Sequence, residues 1–152
     1  MGWRDALRSV TAPEPPWLEG DWLPSSGYAA GSQLAQNPDV SAIFVANDDM
    51  AIGVMRALAD AGRTVPDDVS VVGFDDIPLA RYQSPPLTTI QQDFDALAEH
   101  GLERLVRQIE GLADESPGRE QRPPLRLVRS STAVPARERR SNGIGQGRQT
   151  RK

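Results

Sequence analysis

Ala42-Ile43-Phe44-Val45-Ala46-Asn47-Asp48-Asp49-Met50-Ala51-Ile52-Gly53 decides how the rest of the chain is read. Its first five residues are apolar without alternation, as expected for a strand covered on both faces inside a parallel sheet. Asn47 ends that run and the period changes. From Asp48 to Gly62, apolar residues Ala51, Val54, Met55 and Leu58 recur at i, i+3, i+4 and i+7, the stripe of an amphipathic helix. Two acids in the first turn complement the helix dipole, and glycine stands at the stop.

Toward the carboxyl terminus, Pro66-Asp67-Asp68 turns the chain into Val69-Ser70-Val71-Val72-Gly73-Phe74, a second buried strand that Asp75-Asp76 terminates. Strand, helix and parallel strand cross over right-handedly, so Asn47 and Asp75 are expected at the same carboxyl edge of one sheet. Ile77 to Tyr82 reads as irregular or single-turn, and Ser84-Pro85-Pro86 forces extended backbone. Leu87 to Ile90 is then a strand and Phe94 to Gly111 a helix, with Leu97, Gly101, Leu102, Leu105 and Ile109 on one face and His100 off its centre. Leu125 to Arg129 is a last short strand. Toward the amino terminus, Pro16 to Trp22 reads as a strand closed by a turn at Pro24 to Gly27, with Ser25 or Ser26 capping a helix that runs to Gln36. The alternation of strands and helices makes the class α/β with a parallel sheet.

Composition narrows the chemistry. A chain of 152 residues fits one domain that buries about 70% of its unfolded surface. No apolar run is long enough for a spanning helix and no signal core opens the chain, so no membrane contact and a cytoplasmic location are expected. The absence of cysteine excludes a disulfide framework and thiol catalysis, and one histidine leaves no His/Cys cluster for a transition metal. No cofactor and no metal are called for. Charge is divided: residues 1–118 hold 7 Arg against 19 acids, whereas residues 119–152 hold 10 basic residues against two acids. Residues 133–152 read as a disordered basic tail, which leaves 1–132 as the folded domain.

In open parallel sheets, ligands bind beyond the carboxyl ends of the strands. Asn47 brings a donor and an acceptor to that edge, Asp75 two acceptor oxygens, and Trp22 a flat apolar face. Paired hydroxyls suit an amide or carboxylate, and the C–H face of a sugar or the plane of a base suits an aromatic ring. The plainer readings are that Asn47 and Asp75 are caps or turn residues and that Trp22 is a half-exposed core residue.

The segments Val45 to Gly53, Val69 to Asp76 and Pro85 to Ile90 occur in an order that resembles the lactose and purine repressor family. Gly20-Asp21-Trp22 followed by Ser26-Gly27-Tyr28 looks like the same family's preceding strand and helix, and Ser130-Ser131-Thr132 resembles its terminal strand. The likeness covers about residues 2–133. It implies the carboxyl-terminal subdomain of a type I, periplasmic-binding-protein-like sensor fold plus one helix of the other lobe, Phe94 to Gly111. It implies a regulator, a repressor in kind, that senses a sugar or nucleoside-like effector and meets operator DNA only through a helix-turn-helix head that these residues do not include. By the same resemblance Trp22, Asn47, Asp75, Gln92 and Phe94 are effector-site residues, while Ile52, Pro78, Arg81 and Tyr82 belong to a homodimer surface. Gly2-Trp3 reads as mid-helix sequence, and the family's effector-binding arginine falls ahead of it.

Two other readings stand beside this one. The acidic pairs Asp48-Asp49 and Asp75-Asp76 could hold magnesium in a phosphotransfer domain, although the only lysine, Lys152, lies in the tail rather than at a strand end. A truncated remnant without activity is the other; DNA upstream of Met1 separates it from a fuller repressor. Serine hydrolysis fails for want of a nucleophile elbow.

Overall fold

The computed structural model describes residues 2–112, 126–128 and 130–133. In chain order these form α1 (Trp3–Ser9), α2 (Pro24–Ala35), β1 (Ala42–Phe44), α3 (Asp48–Asp60), β2 (Ser70–Val72), a single 3-10 turn (Ala80–Tyr82), β3 (Thr89–Gln91), α4 (Phe94–Ile109) and β4 (Arg126–Val128). All but the first residue of the expected tail lies outside the described residues.

The expected strand–helix–strand unit is present. β1 and β2 are parallel, pairing Ala42 with Ser70, Ile43 with Val71 and Phe44 with Val72, and that register carried forward sets Asn47 across from Asp75. Two further parallel bridges, Val72 to Thr88 and Asp75 to Gln91, bring β3 alongside the end of β2. β4 returns antiparallel to β3, Ile90 facing Leu127.

α3 is the centre of the core. Asn47 caps it through a side-chain oxygen that accepts the Met50 N–H, and Met50, Ala51, Val54, Met55, Ala57 and Leu58 turn their apolar stripe inward. They meet Val45, Val69, Val71, Ala80 and Leu87. Removing that apolar surface from water is the main stabilising term, about 1.5–3 kcal/mol for each fully buried large side chain. α2 packs on α3 more extensively than any other pair of elements. A Cβ at Gly27 would run into the Met50 backbone, and one at Gly53 into the Pro24 carbonyl, so the two helix backbones meet at glycine. Tyr28 donates to Asp60, which also pairs with Arg56 one turn away; the Arg56 hydrogen bond and then the Tyr28 hydroxyl hold the Asp60 carboxyl below its ordinary pKa.

Five expectations need correction. Pro16 to Trp22 is not a strand: the segment forms no ladder, three of its approach residues (Pro13, Pro15 and Pro16) have no N–H to pair, and Trp17 is exposed. The helix after it starts at Pro24, which occupies the first turn where a missing N–H costs nothing, and its N-cap is Leu23 rather than a serine. β1 is not covered on both faces, since Phe44 is 55% exposed. Ser130 to Thr132 is not a strand, Ser131 and Thr132 forming a bend; Thr132 is nonetheless fully buried, its hydroxyl donating to the Val71 carbonyl and its own carbonyl accepting the Val71 N–H. At the amino terminus Gly2 caps α1 instead of lying inside a helix.

Candidate functional site

The carboxyl edge of β2 and β3 opens into a cleft of about 640 Å³ lined by Asp75, Asp76, Ile77, Pro78, Gln91, Gln92 and Phe94. Two carboxylate–amide pairs cross it. The Gln92 Nε2 group donates to Asp75 Oδ1 at 2.6 Å, and the Gln91 Nε2 group donates to Asp76 Oδ2 at 3.0 Å. Asp75 and Asp76 have φ of 111° and 57°, two successive non-glycine residues in the left-handed half of backbone space. Such conformations cost about 1–3 kcal/mol each and persist where surrounding bonds over-determine them. Here the Asp75 N–H donates to the Ile90 carbonyl at 2.8 Å, and the Asp76 N–H reaches the Thr89 hydroxyl at 3.4 Å.

The residues singled out from sequence divide into two groups. Asp75, Gln92 and Phe94 come together in the cleft, with Pro78 on its wall. Asn47 and Trp22 form a second group: the Asn47 amide donates to the Trp22 backbone carbonyl at 3.0 Å, while its oxygen caps α3. Asn47 is thus buried with both polar atoms engaged, and Trp22 is 64% exposed, with φ of 72°. The N-cap reading of Asn47 holds geometrically. Phe94 offers the cleft a half-exposed ring just beyond Asp93, whose side chain caps α4 by accepting the Ala96 N–H. Of the remaining four, Ile52 is half-buried on α3, Pro78 is exposed, and Arg81 and Tyr82 lie in the 3-10 turn, both exposed, Tyr82 to 76%.

Sequence reasoning gave Asp48 only as a first-turn acid and a possible magnesium ligand and missed its buried role. Its carboxylate is fully buried, with Oδ1 accepting the Thr89 hydroxyl at 2.6 Å and Oδ2 the Ile77 N–H at 3.0 Å. Burial pushes its pKa above the ordinary carboxylate value; those two hydrogen bonds oppose the shift, and the neighbouring Asp75 charge adds to it. A signal was available in Gly73, where a Cβ would overlap the Asp48 carboxylate. Glycine inside a strand marks a close approach.

The arrangement can hold hydroxyl-rich or amide-bearing ligands: carboxylates accept, amides do both, and an aromatic face is at hand. It offers no activated nucleophile. Among the described residues no three His, Cys, Asp or Glu side chains gather to hold a metal ion, and no helix is long and apolar enough to cross a membrane.

Comparison with known proteins gives the class first: the family described as periplasmic binding protein-like domain matches residues 2–132. The lactose operon repressor of Klebsiella pneumoniae is 40% identical over 146 residues, 95% of this chain and 41% of the relative. The ribose operon repressor of Escherichia coli K12 is 40% identical over 111 residues, covering 71% of this chain and 34% of that protein. Among solved structures, a lac repressor dimer bound to operator and an anti-inducer superposes with a TM-score of 0.78 at 37% identity, covering 88% of this chain and 46% of that one. The chain belongs to the lactose and purine repressor family, as a periplasmic-binding-protein-like effector domain. It spans less than half the length of these relatives. They are transcriptional repressors rather than enzymes, which sets the phosphotransfer reading aside.

Proposed function

We propose that this chain is the effector-sensing part of a repressor and that a small polar molecule, a sugar or nucleoside-like compound, binds at the carboxyl edge of the sheet. In this reading residues 1–132 are the sensor, Asp75 and Gln92 engage ligand hydroxyls, and Phe94 and Trp22 pack on its apolar face. Asn47 contributes by exchanging its bond to the Trp22 carbonyl for one to the ligand. The observation that carries the reading is the cleft that brings Asp75, after β2, together with Gln92 and Phe94, at the junction of β3 and α4, around a strained turn. A regulator from Enterococcus faecium with bound ribose, 28% identical with a TM-score of 0.71, supports a sugar as the ligand class.

α4 belongs in this reading to a second lobe, and effector binding alters lobe closure and so the geometry of a homodimer formed through Ile52, Pro78, Arg81 and Tyr82. Operator contact is made by a helix-turn-helix head rather than by the residues of this chain. Thermal-shift screening against monosaccharides and nucleosides tests the proposal. The best ligand should raise the unfolding temperature, and Asp75→Ala should abolish the rise; an unchanged response in that variant rules out the role given to the carboxylate.

A further inference from the structure

We infer that Asp48 is a positioning residue for the effector cleft: its buried carboxylate locks the turn at Asp75 to Ile77, so that Asp75 is presented to Gln92 and to the ligand. The inference deepens the proposed function and rests on it for the word ligand only; the locking itself is a property of the chain alone.

Three observations converge. First, one carboxylate joins three elements: it sits at the first residue of α3, takes the Thr89 hydroxyl from β3 and takes the Ile77 N–H from the turn. Second, the turn it joins contains the two positive-φ aspartates, a backbone that does not hold itself. Its amides are tied on one side to β3, through Asp75 N–H to Ile90 and Asp76 N–H to Thr89, and on the other to Asp48 through Ile77. Thr89 therefore serves both, donating to Asp48 while accepting from Asp76. Third, Gly73 leaves room for that carboxylate where any Cβ would displace it. A merely capping acid in the first turn of a helix needs none of this; Asn47 already supplies the cap.

A buried carboxylate is an expensive anchor, because its charge loses water. What it gives in return is two directed, charge-assisted hydrogen bonds to groups that a neutral side chain would hold more weakly. The consequence lies at the cleft. If Ile77 is released, the strained pair before it relaxes, and the Asp75 carboxylate leaves the position in which Gln92 meets it at 2.6 Å.

The test is residue-resolved amide hydrogen exchange and side-chain amide NMR on the full chain, comparing the parent protein with Asp48→Asn, Thr89→Val and Thr89→Ser. Loss of the anchor in Asp48→Asn and in Thr89→Val should speed exchange of the Asp75, Asp76 and Ile77 amides about tenfold or more beyond any change at Val71 in the core, and should shift the Gln92 Nε2 protons. Thr89→Ser keeps the hydroxyl and should keep the parent pattern. Uniform acceleration at Ile77 and Val71 alike would make Asp48 a general stabiliser and overturn the inference, as would Thr89→Val behaving like Thr89→Ser. Should Asp48→Asn not fold, the two threonine variants decide alone. Because exchange is read without ligand, it succeeds or fails separately from the Asp75→Ala thermal-shift result.

Discussion

α3 and α4 carry the same kind of sequence and meet opposite fates. Both are amphipathic, both begin at a side chain that accepts an N–H of the first turn, and both have acids there. Yet α3 buries eight of its residues, while α4, three residues longer, buries none and leaves Leu97, Leu102, Leu105 and Ile109 exposed. The periodic apolar stripe states that a helix needs a partner; it does not say where the partner is. α3 finds its own between α2 and the strands, within the same stretch of chain.

Removing one leucine from each helix gives the largest expected contrast. Leu58→Ala should cost about 2–5 kcal/mol in urea unfolding, because Leu58 is fully enclosed and leaves a cavity. Leu105→Ala should move stability by no more than about 0.5 kcal/mol, as for other exposed positions. Equal costs would mean that α4 is packed in solution.

Glycine sharpens the comparison with an opposite sign. Gly53→Ala forces a Cβ into the Pro24 carbonyl and should destabilise by about 1–3 kcal/mol, driving α2 off α3. Gly101→Ala meets nothing within 4 Å and should stabilise α4 by up to about 1 kcal/mol through helix propensity alone. Thermal unfolding followed by circular dichroism distinguishes the signs.

A smaller effect concerns charge. Asp48 has a folded-state pKa above the ordinary aspartate value of 3.8, so folding favours its protonated form and binds an extra proton in that window. The stability this contributes is fully present below 3.8 and is lost as pH rises through the folded value. Asp60 has the opposite sign, its contribution being present above 3.8 and lost as pH falls through its lowered value. Urea midpoints measured from pH 3 to 7 should therefore show the parent protein losing stability relative to Asp48→Asn on going up from pH 3.8. A difference independent of pH would contradict the assignment.

Local features were legible and long-range ones were not. The switch from an unbroken apolar run to a 3.6-residue period located β1, Asn47 and α3 because each depends on residues within a few positions. The parallel pairing of β1 and β2 followed from the connection between them. Asp48 was opaque for the opposite reason: an acid in a first turn already has a local explanation, and its partners Ile77 and Thr89 lie 29 and 41 residues away. Trp22 failed as a strand residue because apolar spacing alone does not provide a neighbour to pair with, and its backbone instead takes a positive φ and offers its carbonyl to Asn47. Of the candidate site, Asp75, Gln92 and Phe94 share one cleft, whereas Asn47 and Trp22 were grouped with them by edge and resemblance rather than by a shared wall.

The central claim is that a small polar effector occupies that cleft. Titrating the isotopically labelled chain with D-ribose and with o-nitrophenyl galactoside, and following amide and side-chain shifts, tests it most directly. The account predicts saturable shifts from at least one of them, concentrated at Asp75 to Pro78, Gln91, Gln92 and Phe94. Saturable shifts centred instead on the apolar face of α4, or no shifts from either compound, would contradict it.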